Sequence, residues 1–290
     1  MEKKNKNVDI SLALGGGGSK GYAHLGVVRA LEKRGYRIKA IAGTSAGGMA
    51  ASILAAGFSP DEIIDKIAPL HQDNLYGFGK GPSLLGNSGV EQIIRQFLED
   101  MTFADLKIPC ALTAVDLINM IEINIQEGKV IDGVMATIAI PGIFPPKEWK
   151  NYLLVDGMVL NPVPVEIARS LVPSLPVIAV SLTPEPERWK KESPWDSTPA
   201  NPLLRTVSKL RVAKAFDVYL RSMDMTSHML GEKRLELENP DLIIRPDVAH
   251  IGSLDRVDIQ EVVEIGEQAV EKIEDELRRI PRRRRRSTRR

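Results

Sequence analysis

Short apolar runs alternate along the chain with stretches whose apolar residues recur every three or four positions, the pattern of a sheet covered by helices. Val8–Leu14 reads as a buried strand that runs into four glycines, and Lys20–Arg34 as a helix with Leu25, Val28 and Leu31 on one face and Gly35 as its stop. Arg37–Ala42 is a second short strand, followed by Gly43-Thr44-Ser45-Ala46-Gly47-Gly48 and a small-residue helix that ends at Gly57. Ser59-Pro60-Asp61-Glu62 has the order of a capped helix start, and Ser88 to Glu91 repeats the capping pattern. Pro109–Val115 and Met120–Gln126 predict paired strands joined through Asn119, Asp132–Ile138 a short helix, and Tyr152–Val155 and Val177–Leu182 further strands. Leu203–Leu230 predicts a long helix, Leu242–Arg245 an edge strand, and Ile259–Ile280 a helix with Val262, Val263, Gly266, Ala269, Val270, Ile273 and Leu277 along one stripe. Prolines crowd the stretch from Pro173 to Pro202, which predicts an irregular excursion there.

Length and composition narrow this picture. A chain of 290 residues with 43% hydrophobic side chains has material for one large α/β domain and is not globally disordered. One domain over residues 1–281 is expected, with 173–232 as the Pro-rich excursion plus long helix, a candidate cap. The last nine residues, 282–290, hold seven arginines and read as a disordered tail. The formal charge of +1 hides this asymmetry, because the body without the tail carries 32 basic against 38 acidic side chains. An acidic body argues against a nucleic-acid partner. The single Cys110 excludes an internal disulfide and suits a reducing compartment. The apolar run at Ile10–Leu14 is too short for a signal-peptide core, and no window approaches the length of a membrane span, so a cytoplasmic location is expected.

Candidate chemistry gathers at glycine-bearing motifs. Gly16-x-Gly18-x-x-Gly21 matches the dinucleotide fingerprint between a strand and a helix, but Tyr36–Gly43 lacks the acid that a ribose would need. A glycine turn at a helix start can instead offer its amides to a developing oxyanion. Gly43-x-Ser45-x-Gly47 matches the nucleophile elbow, and so does Gly17-x-Ser19-x-Gly21. Ala46, Gly48, Ala50 and Ala51 keep the helix after Ser45 slim, which favours Ser45, while Ser19 stays open as the alternative. Asp156-Gly157 ends a strand and could serve as the base for such a serine, although this dipeptide also forms ordinary turns. Of His24, His71, His228 and His250, His24 has apolar neighbours and His250 follows Asp156 in the order of a conventional triad. A two-residue Ser–Asp arrangement is the other solution.

The ordered set Gly15–Gly21, Gly43–Gly47, Pro141-Gly-Ile-Phe-Pro-Pro146 and Asp156-Gly157 with Asn161-Pro162 resembles the patatin-like phospholipases of bacterial type. The resemblance covers roughly residues 8–182. It implies a three-layer α/β/α fold with a central, mostly parallel sheet and an elbow serine after an early strand. It also implies lipid acyl hydrolase activity of phospholipase A or lysophospholipase kind, with no metal or organic cofactor. By motif position it assigns the nucleophile to Ser45, the general base to Asp156 and the oxyanion hole to Gly16, Gly17 and Gly18. Lys20, Gly21, Gly43, Gly47 and Gly157 support these motifs. Two residues depart from the pattern: Lys20 stands where Arg is usual, and Met158 where Gly or Ala is usual.

The expected partner is therefore a lipid ester. Leu75–Gly86, apolar and glycine-rich, suits a lip over an acyl channel or an ordinary surface loop. Val212, Phe216, Tyr219, Leu220 and Met223 share a helix face that suits core, dimer or peripheral membrane contact, the last at the inner membrane surface. The rival readings are a Rossmann-type oxidoreductase using the Gly16 fingerprint, and a catalytically weak lipid-binding or regulatory relative motivated by Met158.

Overall fold

The computed structural model describes residues 7–69, 77–78, 85–185 and 211–280, with the backbone alone at 77–78 and 211–217. The Arg-rich tail, His71, most of the Leu75–Gly86 segment, the core of the Pro-rich stretch and the residues 203–210 lie outside the described residues.

Strand β1 (Val8–Leu14) leads through a one-turn helix at Gly18–Tyr22 into α1 (Ala23–Lys33), so the helix expected from Lys20 begins as a tighter turn. Then come β2 (Tyr36–Thr44), α2 (Ala46–Ala55), α3 (Pro60–Ile67), the two-residue strands β3 (Gly77–Phe78) and β4 (Leu85–Gly86), and α4 (Ser88–Leu98). Strands β5 (Cys110–Asp116) and β6 (Ile121–Ile125) form a hairpin, followed by α5 (Val130–Thr137), β7 (Lys147–Trp149), β8 (Tyr152–Asp156), α6 (Val165–Leu171) and β9 (Val177–Val180). The chain closes with α7 (Arg211–Glu238), β10 (Leu242–Ile244), α8 (Ile259–Lys272) and α9 (Glu274–Leu277). The α3 start carries the expected capping box, Ser59 with Glu62. At α4 the expected cap is absent: Asn87 holds the cap position without a side-chain bond, and Glu91 instead pairs with Arg95 at 2.6 Å.

The sheet runs β10-β9-β1-β2-β5-β8-β7, with β6 also on β5. Its β10-to-β5 half is parallel, while β6, β7 and β8 are antiparallel additions. Alternation along the strands separates two faces. Ile10, Leu12, Leu14, Ile41 and Leu112 point into the larger core beneath α1, α2, α5 and α8, whereas Ala13, Ala42, Ala111 and Ala179 point the other way. Those alanines leave a shallow surface on which α6 and Leu235 of α7 settle closely. Helices on both faces give the three layers the sequence led us to expect. On the larger side α1 and α8 cross backbone to backbone. A Cβ on Gly26 would stand 1.9 Å from the Val263 carbonyl oxygen, and one on Gly266 2.1 Å from that of Ala23.

One feature of the register positions the site. Strand β6 pairs with β5 over Leu112–Asp116. On β5, β2 pairs up to Thr113, opposite Thr44, and β8 pairs from Ala114, opposite Asp156. With one edge of β5 taken by β6, both β2 and β8 must use the other edge. They run toward each other along it and meet between Thr113 and Ala114. The residue after Thr44 and the last residue of β8 therefore come together although 111 positions separate them in the chain.

Candidate active site

Ser45 occupies the bend between β2 and α2 with φ 54° and ψ −125°, a left-handed backbone that an ordinary residue adopts at a cost of about 1–3 kcal/mol. The bend is held from several sides. The Ser45 amide donates to Thr137 Oγ1 at 2.8 Å, and Thr44 Oγ1 donates to the Asn161 carbonyl at 2.8 Å while meeting Thr113 Oγ1 at 2.6 Å. The flanking glycines are needed for space: a Cβ on Gly43 would lie 2.3 Å from the Gly47 carbonyl oxygen, and one on Gly47 2.3 Å from that of Leu14. The Ser45 residue is only 2% exposed.

Asp156, at the end of β8, faces this bend and is 1% exposed. Its Oδ1 accepts the Met158 amide at 2.9 Å, and its Oδ2 is buried with no hydrogen-bond partner of ordinary geometry. The Ser45 hydroxyl lies near enough to favour the ionised carboxylate, yet stops short of a well-formed hydrogen bond. Such loose contacts are common before substrate arrives. Burial dominates the electrostatics and pushes the Asp156 carboxyl up to about 7, against the opposing pull of Ser45 and the Met158 amide. A carboxyl tuned to that range can take and return a proton near neutrality. Gly157 follows directly, where a Cβ would stand 2.3 Å from Thr113 Oγ1.

The glycine turn lies alongside. Gly15 donates its amide to the Val180 carbonyl at 2.9 Å and Gly16 to the Pro162 carbonyl at 3.1 Å. The Gly16 amide, expected to join an oxyanion hole, is therefore committed elsewhere. The amides of Gly17 and Gly18 make no hydrogen bond to another described residue. Gly18 has φ 59°, and a Cβ there would lie 2.0 Å from the Ser253 carbonyl oxygen. Ser19 turns away from Asp156: its amide bonds the Ser253 carbonyl at 2.9 Å and its hydroxyl the Asp255 carbonyl at 2.7 Å. Ser19 thereby pins the turn to the 253–255 loop. Gly21 sits where a Cβ would meet that of Ala46 at 2.6 Å.

Lys20 is buried, and loss of hydration lowers its pKa, opposed by Asp224 on α7 and Asp255. Among the described histidines none pairs with Ser45 or Asp156. His24 lies wholly buried in α1 with its Nε2 2.8 Å from the Gly15 carbonyl, and burial lowers its pKa to about 4, so it stays neutral and donates that bond. His228 lies 3.3 Å from Asp224 on its own helix, and His250 is exposed.

Comparison with known proteins gives this constellation a lineage. The family model described as patatin-like phospholipase matches residues 12–169, which include the glycine turn, the Ser45 bend and Asp156. The chain belongs to the patatin-like phospholipase family. An uncharacterized NTE family protein of Mycobacterium tuberculosis is 36% identical over 177 residues, 60% of this chain and 49% of that protein. A second NTE family protein of that organism is 29% identical over 267 residues, 90% of this chain and 45% of its own length. Patatin-like phospholipase domain-containing protein 6 of Mus musculus is 26% identical over 210 residues, 64% of this chain and 15% of the relative. The chain thus spans about half the length, or less, of the curated relatives it matches. Among solved structures, VipD from Legionella pneumophila shares the fold at a TM-score of 0.50 and 14% identity, covering 93% of this chain and 67% of that one. The family assignment replaces the oxidoreductase reading of Gly16–Gly21.

Sequence reasoning missed the supports of this patatin-like site. Thr44, Thr113 and Thr137 carry hydroxyls that lock the bend, but a threonine in or beside a strand looks like any other β-former. An apolar cluster near the site was also unread: Leu85, Ile143 and Phe144 are buried together with Ile140, Leu220 of α7 and Leu254 packed against them. It connects the loop after α5, next to Asp156, with the 252–255 loop, next to Gly18.

Proposed function

We propose that the chain hydrolyses carboxylic esters of lipids through Ser45 and Asp156. Asp156, ionised, takes the Ser45 hydroxyl proton as Oγ attacks the ester carbonyl. The amides of Gly17 and Gly18 receive the oxyanion of the tetrahedral intermediate. The alcohol leaves with the proton from Asp156, and water, activated by the same carboxylate, then releases the fatty acid from Ser45. One preorganised donor of this kind is worth about 3–4 kcal/mol. The observation that carries the reading is the buried Asp156 carboxyl, its Oδ2 without a hydrogen-bond partner, beside a serine on a strained bend, with no histidine among the described residues pairing with either. The family description, and the phospholipase name of the mouse relative, support a lipid ester as substrate.

Fatty-acid release from phospholipid and monoacyl esters tests this. Asp156→Asn should lower kcat by about 100- to 10,000-fold, the usual range for losing a general base, with the protein still folded. His250→Ala should retain wild-type turnover. Loss of activity in His250→Ala with retention in Asp156→Asn would restore a histidine triad and defeat the proposal. Wild-type turnover should climb with pH through about 7 as Asp156 ionises.

A further inference from the structure

The side chain of Met158 lies inside the patatin-like site. Its Cγ and Sδ each come within 2.5 Å of the point where a Cβ on Gly16 would stand. Ser45 Cβ is 3.1 Å from that same point. Met158 also gives its amide to Asp156 Oδ1 at 2.9 Å. The thioether is thus packed onto the glycine turn and beside Ser45, between the two strands of chain that carry the proposed chemistry. A smaller side chain there would leave this volume vacant. The loop after α5 and the 252–255 loop, which approach Asp156 and Gly18, share the apolar cluster of Ile140, Ile143, Phe144, Leu220 and Leu254. This cluster offers apolar surface for an acyl chain, and the space beside Ser45 at the glycine turn is already taken by Met158.

We propose that Met158 is a specificity-determining side chain that restricts the site to lipid esters with a single acyl chain and excludes two-chain lipids. This rests on the hydrolase reading above and deepens it. The physical basis is volume next to the reacting carbon. A second chain on the glycerol must pass close to Ser45 when the first is held for attack, and Met158 occupies space there. A methylene too many in such a place costs roughly 10- to 200-fold in kcat/KM, so a whole side chain is ample for discrimination. Met158 is partly exposed and its side chain makes no polar contact, so its truncation should leave the fold intact.

Two arms test this. In the first, wild type, Met158→Ala and Met158→Leu are given 1-palmitoyl lysophosphatidylcholine or dipalmitoyl phosphatidylcholine in identical non-ionic micelles, with p-nitrophenyl butyrate as a small ester. Wild type should favour the one-chain lipid. Met158→Ala should raise the two-chain to one-chain ratio of kcat/KM at least tenfold, with butyrate hydrolysis reporting only that each variant still turns over, and Met158→Leu should keep the wild-type ratio. In the second arm the same substitutions are made with Ser45→Ala, and calorimetry compares monohexanoyl with dihexanoyl phosphatidylcholine below their micellar concentrations. Met158→Ala should again shift relative affinity toward the two-chain ligand. A wild type that prefers two chains, or a ratio unmoved by Met158→Ala in either arm, overturns the proposal. Absence of hydrolysis with a shifted binding ratio would defeat the hydrolase reading and leave the role of Met158 standing.

Discussion

Asp156 is a carboxyl with its proton affinity set by burial, and that setting also bears on stability. An ordinary carboxyl ionises near 4, whereas this one does so at about 7. Between those values the folded protein holds a proton that the unfolded chain has released, so this residue makes stability fall as pH rises from about 4 to about 7. Above 7 the full penalty applies, roughly 4 kcal/mol for about three pH units at about 1.4 kcal/mol each. Asp156→Asn should therefore raise the thermal midpoint at pH 8, and the gain should vanish near pH 4; equal midpoints at pH 8 would contradict the burial argument. His24 tilts stability the opposite way: buried and neutral down to about 4, it makes the fold lose stability as pH drops below about 6.5, so only the difference between variant and wild type isolates Asp156. At this scale much was legible. Ser45 and Asp156 are reached through the elbow motif and the ordered set of family motifs, since a second elbow match exists at Ser19 and Asp-Gly at a strand end also forms ordinary turns. Local pattern favours Ser45 over Ser19 only through the small residues that follow it, and cannot show that the 253–255 loop, over 200 residues downstream, claims the Ser19 hydroxyl.

Among the elements, the pairing of α1 with α8 depends most on a missing side chain. Gly26→Ala would drive a methyl into the Val263 carbonyl, 1.9 Å away in the undisturbed structure, and the helices must part. We expect a loss of about 3 kcal/mol or more in urea unfolding, the upper range for overpacking. Gly231→Ala in α7 is the matched control. The nearest atom to its new Cβ, on Pro162, is 3.4 Å away, so helix propensity should dominate and stability should rise by up to about 1 kcal/mol. Comparable losses at both positions would show that helix entropy, not the close crossing, governs. Sequence periodicity found the strands and helices because each buries one face. It missed β7, three residues long, and α6, seven long, and it ended the long helix at Leu230, eight residues before Glu238. Above all it could not reveal that β2 and β8 meet end to end on one edge of β5, because strand pairing is a relation between segments and leaves no mark within either.

For the whole molecule, the parallel half of the sheet supplies the bend and the glycine turn, and the antiparallel half supplies the carboxylate. Helix α7 ties them together from outside: Leu235 packs under the small-residue face, Arg234 bonds the Leu160 carbonyl at 3.0 Å and Glu122 at 3.1 Å, and Leu220 reaches the apolar cluster. No helix among the described residues is long and apolar enough to cross a membrane. The central claim is that this architecture makes one hydroxyl a nucleophile, and covalent labelling reads that without assuming a substrate. Wild type and the variants Ser45→Ala, Ser19→Ala and Asp156→Asn would be treated with a fluorophosphonate probe, and the modified peptide sequenced by mass spectrometry. The account predicts a single adduct on Ser45, retained in Ser19→Ala, absent in Ser45→Ala and greatly slowed in Asp156→Asn. An adduct on Ser19, or one that persists in Ser45→Ala, would contradict it.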